Sequence, residues 1–142
     1  MFQATLNNLP ADVAIFSAAV SDYKVKKTSQ TKMKKQNRFN LELEKNVDIL
    51  DYVSNHNSLR PRLVIGFAAE TNNLENFAKE KLTKKNCDWI IANDVSNRKI
   101  GFESDFNEVS IFYKSNKIDI LRYKPKSELS DEIVEKIVNH LN

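Results

Sequence analysis

The chain has 142 residues, 41% hydrophobic and 29% charged, with 22 Lys and Arg against 19 Asp and Glu for a net charge of +3. That length suffices for one domain with its own core, and no run approaches the roughly 18 apolar residues of a membrane helix. The N-terminus lacks the pattern of a secretory signal, and Cys87 is the only cysteine, so the expectation is a cytoplasmic protein without internal disulfides or a membrane partner.

Glycine is scarce: Gly66 and Gly101 are the only two. A Walker loop or a G-x-G-x-x-G turn needs clustered glycines so that backbone N–H groups can approach phosphate, and neither motif is present. A nucleotide would have to be held largely by side chains, or by a loop from elsewhere.

In chain order, residues 13–20 form the first apolar run, ending in "SAAVSDY". A lysine-rich stretch follows. Residues 24–45 hold eight of the Lys and Arg and two acids, Glu42 and Glu44, a local charge of +6. Residues 24–38 are expected to form a protruding loop, poorly ordered without ligand. "RFNLELE" alternates, with Phe39, Leu41 and Leu43 on one face, as in a half-exposed strand.

A helix is expected over residues 46–56, with Asn46 or Asp48 near its start and Ile49, Leu50 and Val53 facing inward; Arg60 and Pro61 then close the link to a strand at 63–68. A helix over 72–85 follows, with Asn72 and Glu75 as a capping box and Leu74, Phe77, Ala78 and Leu82 as its apolar stripe. The next strand covers 89–92. "EVSIFYKSNKIDILRY" reads as a hairpin around Ser115-Asn116. The last helix spans 130–141, capped by Ser130, with Ile133, Val134, Ile137, Val138 and Leu141 as its buried side.

The three apolar runs do not alternate strictly, which suits strands covered on both faces. The chain is therefore α/β, with an open, mainly parallel sheet, flanking helices and a C-terminal β-hairpin. Carboxyl ends of parallel strands are where such sheets bind ligands.

The common catalytic constellations are missing. His56 and His140 have no metal-type spacing and read as surface residues, and Cys87 reads as a small packed residue. The basic run suits a solvated surface, a nucleic-acid patch or a flap over polyphosphate; its few aromatics provide poorly for base stacking. Lys81 lies on the apolar stripe of its helix and Lys85 continues the line. Either both snorkel outward and complement the helix dipole, or this face opens into a ligand cleft.

Taken in order, "SAAVSDY", "TKMKK", "KNVDIL", "GFAAETNNLENFAKEKLTKKNCDWIIANDVS" and "GFESDFNEVSIF" resemble the bacterial phosphopantothenate–cysteine ligases, often the C-terminal half of a bifunctional coenzyme A biosynthesis protein. The resemblance covers nearly the whole chain. It implies a Rossmann-like, ligase-type nucleotide-binding domain over residues 1–142, without the family's earlier glycine-rich segment. It also implies CTP as co-substrate, Mg²⁺, and 4′-phosphopantothenate and cysteine as substrates, joined through an acyl-cytidylate. A homodimer is implied, with an upstream ligase half and a decarboxylase domain as partners and no nucleic acid. The chain alone is then expected to bind CTP weakly and to fail to join the two substrates. The alternatives are a catalytically incomplete nucleotide-binding or dimerisation module, and a basic RNA-binding domain.

The resemblance also assigns roles. Ser17, Ala18 and Ala19 match a nucleotide-lining segment. Asp22 matches an acidic nucleotide-site residue and a candidate Mg²⁺ ligand. Lys32 begins a K-x-K-K flap that closes over the phosphates, and is the catalytic candidate. Asn46, Val47, Asp48, Ile49 and Phe67 match the cytidine side, and Lys81 and Lys85 the phosphate-contacting lysines. Val47 stands where the family usually has proline, a first-turn position that proline favours.

Overall fold

The computed structural model describes residues 1–29, 31, 40–96 and 104–142. Its centre is a five-stranded sheet in the order β1-β4-β5-β6-β7, formed by β1 (Val13–Phe16), β4 (Leu63–Glu70), β5 (Trp89–Asp94), β6 (Phe106–Tyr113) and β7 (Ile118–Pro125). The strands expected from the three apolar runs are mutually parallel: Val13 pairs with Leu63, and Ile65 with Trp89. β6 and β7 add an antiparallel hairpin, which turns at Asn116 with φ of 66°. Asn tolerates that left-handed conformation. The architecture is thus α/β and Rossmann-like, as expected. β1 is shorter than the run 13–20, because the backbone leaves the ladder at Ser17.

A separate two-stranded ribbon pairs β2 (Tyr23–Val25) antiparallel with β3 (Leu43–Lys45). Only the last part of "RFNLELE" is therefore strand among the described residues. Its alternation does not bury a face: Leu41 and Leu43 are 56% and 57% exposed. Of the loop expected over 24–38, residues 24 and 25 belong instead to β2, paired with β3, and residues 30 and 32–38 lie outside the described residues.

Helices cover the sheet on both faces. On one side α4 (Lys126–Leu141) packs Leu129 and Ile137 against Leu63, Ile65, Ile91 and Ile111. On the other, α3 (Leu74–Lys85) packs Ala78 and Leu82 against Val64, Ile90 and Phe112. α2 (Ile49–Ser54) reaches the same second face, through Leu50. Arg60 ties the layers together. Its guanidinium donates to the carbonyls of Ser54, Pro61 and Asn86 and to both carboxylate oxygens of Asp88, while Asp88 accepts the Val64 amide at 2.8 Å.

Several helix boundaries differ from expectation. α4 begins at Lys126, a turn before Ser130, directly after Pro125 ends β7, and this start seats Leu129 in the core against the sheet. Ser130 lies inside the helix and donates to the Ser127 carbonyl at 2.6 Å. Its buried line accordingly runs through Leu129 and Ile137, and Val134 and Val138 stay half-exposed. α3 has no capping box. Asn73 is the N-cap in a left-handed conformation, its amide oxygen accepts from Asn76, and Glu75 pairs instead with Lys79 at 2.6 Å. Phe77 falls off the buried stripe and is exposed. α2 starts at Ile49 and is capped by Asp48, so Val47 stands outside the helix rather than in its first turn. A short helix, α1 (Phe2–Asn7), precedes the sheet and sets Phe2 edge-on to Tyr52 at 4.9 Å.

His56 is more than a surface residue. Its Nδ1 accepts the amides of Ser58 and Leu59 and so closes the turn after α2. His140 is exposed, with its ring edge-on to Trp89. Cys87 is fully buried, and burial pushes its thiol up to about 11, as suits an unreactive packed cysteine.

Candidate functional site

A cleft of about 800 Å³ runs along the edge strand β1. Its walls come from α1, the segment leaving β1, the approach to α2 and the last turn of α3. These segments meet because β1 and β4 are parallel and aligned, with Phe16 opposite Gly66, so their carboxyl ends face the same way. Four lysines, Lys45, Lys81, Lys84 and Lys85, and three aspartates, Asp22, Asp48 and Asp51, line it among the described residues.

Asn46 fastens one wall. Its side-chain amide donates to the Ser21 carbonyl at 3.1 Å and its backbone N–H to the Asp22 carbonyl at 2.7 Å, while its amide oxygen accepts the Val47 N–H. This clasp joins the ends of the β2–β3 ribbon and fixes Asp22 at the rim. Asp48 follows at once and links two helices. Oδ1 accepts the Asp51 amide at 2.9 Å, capping α2, and Oδ2 accepts the Lys85 ammonium at 2.6 Å. Partial burial alone would raise the Asp48 carboxyl; the Lys85 hydrogen bond and the Asp51 amide outweigh it and hold the carboxyl below its usual value. The Asp48 hydrogen bond raises Lys85 against its own partial burial, helped by the charges of Asp48, Asp51 and Asp22.

Lys81 is held differently. Its ammonium donates to the Phe67 carbonyl at 2.8 Å, across the gap between α3 and β4. The outward-snorkelling alternative therefore does not describe Lys81 or Lys85: each side chain is part-buried and bonded beside the cleft. Lys84, which sequence reasoning passed over, is exposed on the same wall and has no hydrogen-bond or ion-pair partner among the described residues. Asp51 was also missed. One helical turn from the capping Asp48, it could have been suspected from the capping pattern itself.

The structure brings Ser17, Ala18, Asp22, Asn46, Val47, Asp48, Ile49, Phe67, Lys81 and Lys85 together in this cleft. Ala19 is exposed and lies off its lining, and Ile49 is mostly committed to the core. Lys32 lies outside the described residues. Two lysines of the described part of the basic run are engaged elsewhere. Lys24 pairs with Glu44 at 3.2 Å and Lys26 with Glu42 at 3.9 Å, across the ribbon. Among the described residues no three His, Cys, Asp or Glu side chains converge on a metal-sized site, and no helix is long and apolar enough to cross a membrane.

Residues 1–141 match the family model of the DNA/pantothenate metabolism flavoprotein C-terminal domain. The chain belongs to this family. It is 39% identical over 97% of its length to the coenzyme A biosynthesis bifunctional protein CoaBC of Haemophilus influenzae, and 40% identical over 89% to that of Bacillus subtilis. It covers 34% and 31% of those proteins, about a third of each. A crystal structure of the C-terminal domain of a coenzyme A biosynthesis bifunctional protein CoaBC superposes with a TM-score of 0.74 at 33% identity, covering 99% of this chain and 60% of that one. The chain thus shares the fold of that domain.

Proposed function

We propose that the cleft binds the triphosphate of CTP, and that the chain serves in the CTP-dependent joining of 4′-phosphopantothenate to cysteine. The observation that carries this reading is the convergence of Lys81, Lys84 and Lys85 on a cleft at the carboxyl ends of parallel strands, in a chain of this family. Three ammonium groups within one and a half turns of one helix end suit a polyphosphate better than a neutral ligand.

In the proposed reaction a carboxylate oxygen of phosphopantothenate attacks the α-phosphorus of CTP. The bond to the bridging oxygen breaks and pyrophosphate leaves. The cysteine amine then attacks the acyl carbon of the resulting acyl-cytidylate; the acyl C–O bond breaks, CMP leaves and the nitrogen loses a proton. Both nucleophiles arrive with the substrates. The protein's part is to hold them in line and to offset developing negative charge, the role assigned to Lys81, Lys85 and, by resemblance, Lys32. Asn46, Val47, Asp48, Ile49 and Phe67 are proposed to line the cytidine side, with Ser17, Ala18 and Ala19 beside the nucleotide.

Mg²⁺ would neutralise charge on the triphosphate. The single carboxylate of Asp22, exposed at the rim, suits a cation that keeps several waters and takes its other ligands from phosphate. A homodimer and a companion ligase segment with a decarboxylase domain belong to the same proposal.

The test is calorimetric titration of the chain with CTP, ATP and a short RNA, each with Mg²⁺. Selective CTP binding supports the reading. Tighter, salt-sensitive RNA binding without nucleotide preference would replace it with the nucleic-acid alternative.

A further inference from the structure

The three lysines on the cleft wall are held in three different ways. Lys84 has no partner among the described residues, Lys81 is bonded to a neutral carbonyl, and Lys85 is bonded to a full negative charge. Among the described residues, Lys85 alone of the three therefore meets the kind of group that the cleft is proposed to receive.

We propose that Asp48 is a built-in counter-anion: it holds Lys85 over the cleft while the site is empty, and yields that lysine to the phosphate of an arriving ligand. The inference rests on the polyphosphate reading of the cleft and adds to it a residue that positions a lysine and tunes affinity.

Three features of the geometry carry it. First, the two carboxylate oxygens have separate tasks. Oδ1 caps α2 through the Asp51 amide, and Oδ2 alone holds Lys85. Losing Lys85 leaves the cap intact, so the helix does not depend on the ion pair. Second, the pair is accessible: the Lys85 and Asp48 side chains are 22% and 35% exposed, and both line the cleft. Oδ2 can turn to water when Lys85 moves away, which avoids stranding a buried charge. Third, an ammonium has three N–H donors, and the recorded hydrogen bond to Asp48 uses one of them. A phosphate can therefore engage Lys85 before the carboxylate lets go. Once there, two anions share one cation at close range, and their repulsion loosens the older bond.

The arrangement has two opposed effects. Pairing orders a long, flexible side chain and keeps it pointing across the cleft, which lowers the entropy lost when ligand binds. The same negative charge weakens the final attraction. A variant without the charge should bind a simple polyphosphate more tightly but hold it less well aligned.

The experiment is a double-mutant cycle on the 142-residue chain, with inorganic triphosphate as the probe in calorimetry and CTP as a parallel arm. Asp48→Asn removes the charge and keeps a side chain that caps a helix as well as Asp does. It should tighten triphosphate binding roughly two- to fivefold, the range for a partly exposed ion pair. In a Lys85→Met background the same exchange should change the affinity by less than about half of that. NMR of the Asp48 carboxyl carbon in the wild-type chain should move toward an unpaired carboxylate as triphosphate is added. Unchanged or weaker binding in Asp48→Asn, while the wild type binds triphosphate, would overturn the inference and leave the proposed function standing. Equal tightening in both backgrounds would also overturn it, by showing that Asp48 acts through its general field. Absence of binding in every variant, Asp48→Asn included, would overturn the inference together with the polyphosphate reading.

Discussion

Gly66 lies directly beneath Leu50: a Cβ added at this position would come within 2.8 Å of Leu50 Cδ2 and 2.8 Å of Ile90 Cδ1. The glycine leaves room for this close approach, by which α2 rests on β4. The approach in turn sets where Asp48, the residue just before α2, meets Lys85. Gly66→Ala is expected to lower stability by about 1–3 kcal/mol, the usual range for overpacking a filled interior. The clashing atoms are ends of flexible side chains, so adding Leu50→Ala should reduce the coupling penalty in a urea-unfolding cycle. Unchanged stability in Gly66→Ala would mean that α2 can shift freely on the sheet.

Lys81 spans the gap from α3 to the Phe67 carbonyl at 2.8 Å. Lys81→Met keeps the aliphatic stem and removes the charge. Triphosphate affinity should fall about tenfold, in keeping with a charge-assisted hydrogen bond worth about 1.5 kcal/mol. The melting temperature should change little, since the Phe67 carbonyl can be rehydrated at the open cleft. A large loss of stability with affinity preserved would make Lys81 a structural strut.

Asp119 gives the fold a sensitivity to acid. It accepts hydrogen bonds from the Tyr113 hydroxyl at 2.8 Å and from Lys136 at 3.0 Å, and pairs with Lys117 at 3.1 Å. Burial alone would raise its carboxyl; the hydrogen bonds from Lys136, Tyr113 and Lys117 prevail and bring it down to about 2. A carboxyl depressed in the folded state adds stability above its unfolded value near 4, and that stability is lost as pH falls toward 2. Because these side chains are partly solvated, the contribution is about 1 kcal/mol at neutral pH. Urea unfolding at pH 7 and pH 3 should show a smaller pH-dependent loss in Asp119→Asn than in the wild type. Parallel losses in the two proteins would remove Asp119 from the account.

The proposed homodimer has a candidate surface in β7. Among the described residues this strand pairs on one side only, with β6, and Ile120 on it is 65% exposed. An open strand of eight residues with apolar side chains invites pairing. Sedimentation at micromolar concentration should give a dimer, and Ile120→Lys should shift it toward monomer without lowering the melting temperature of the monomer. A wild-type monomer under these conditions would contradict the proposal.

Much of the sheet could be read from the sequence, because three continuous apolar runs have few other uses in a chain of this composition. The turn at Ser115-Asn116 announced the hairpin through a residue that accepts positive φ. The helix starts were harder. Pro125 and Ser130 are both plausible beginnings for α4, and the choice depends on Leu129 meeting the sheet, a contact that lies outside the local pattern. α1 is six residues long and has no side-chain cap, so little marks it in advance. Within the site, Lys81 and Lys85 stood out because lysine on an apolar stripe asks for a reason. The Asp48–Lys85 pair joins positions 37 apart in sequence, and only the packing of α2 beside α3 reveals it. The resemblance to the ligase family supplied what neither periodicity nor spacing could, the identity of the expected nucleotide.

Pyrophosphate release is the decisive measurement for a cleft proposed to serve a CTP-dependent ligation. The chain would be exchanged for the matching third of a CoaBC relative, and the chimera supplied with Mg²⁺, phosphopantothenate and either CTP or ATP. Pyrophosphate release should require phosphopantothenate, favour CTP, and drop at least tenfold when Lys81 and Lys85 are both changed to Met. Release that is undiminished in that double variant, or that shows no dependence on phosphopantothenate, would contradict the proposed function.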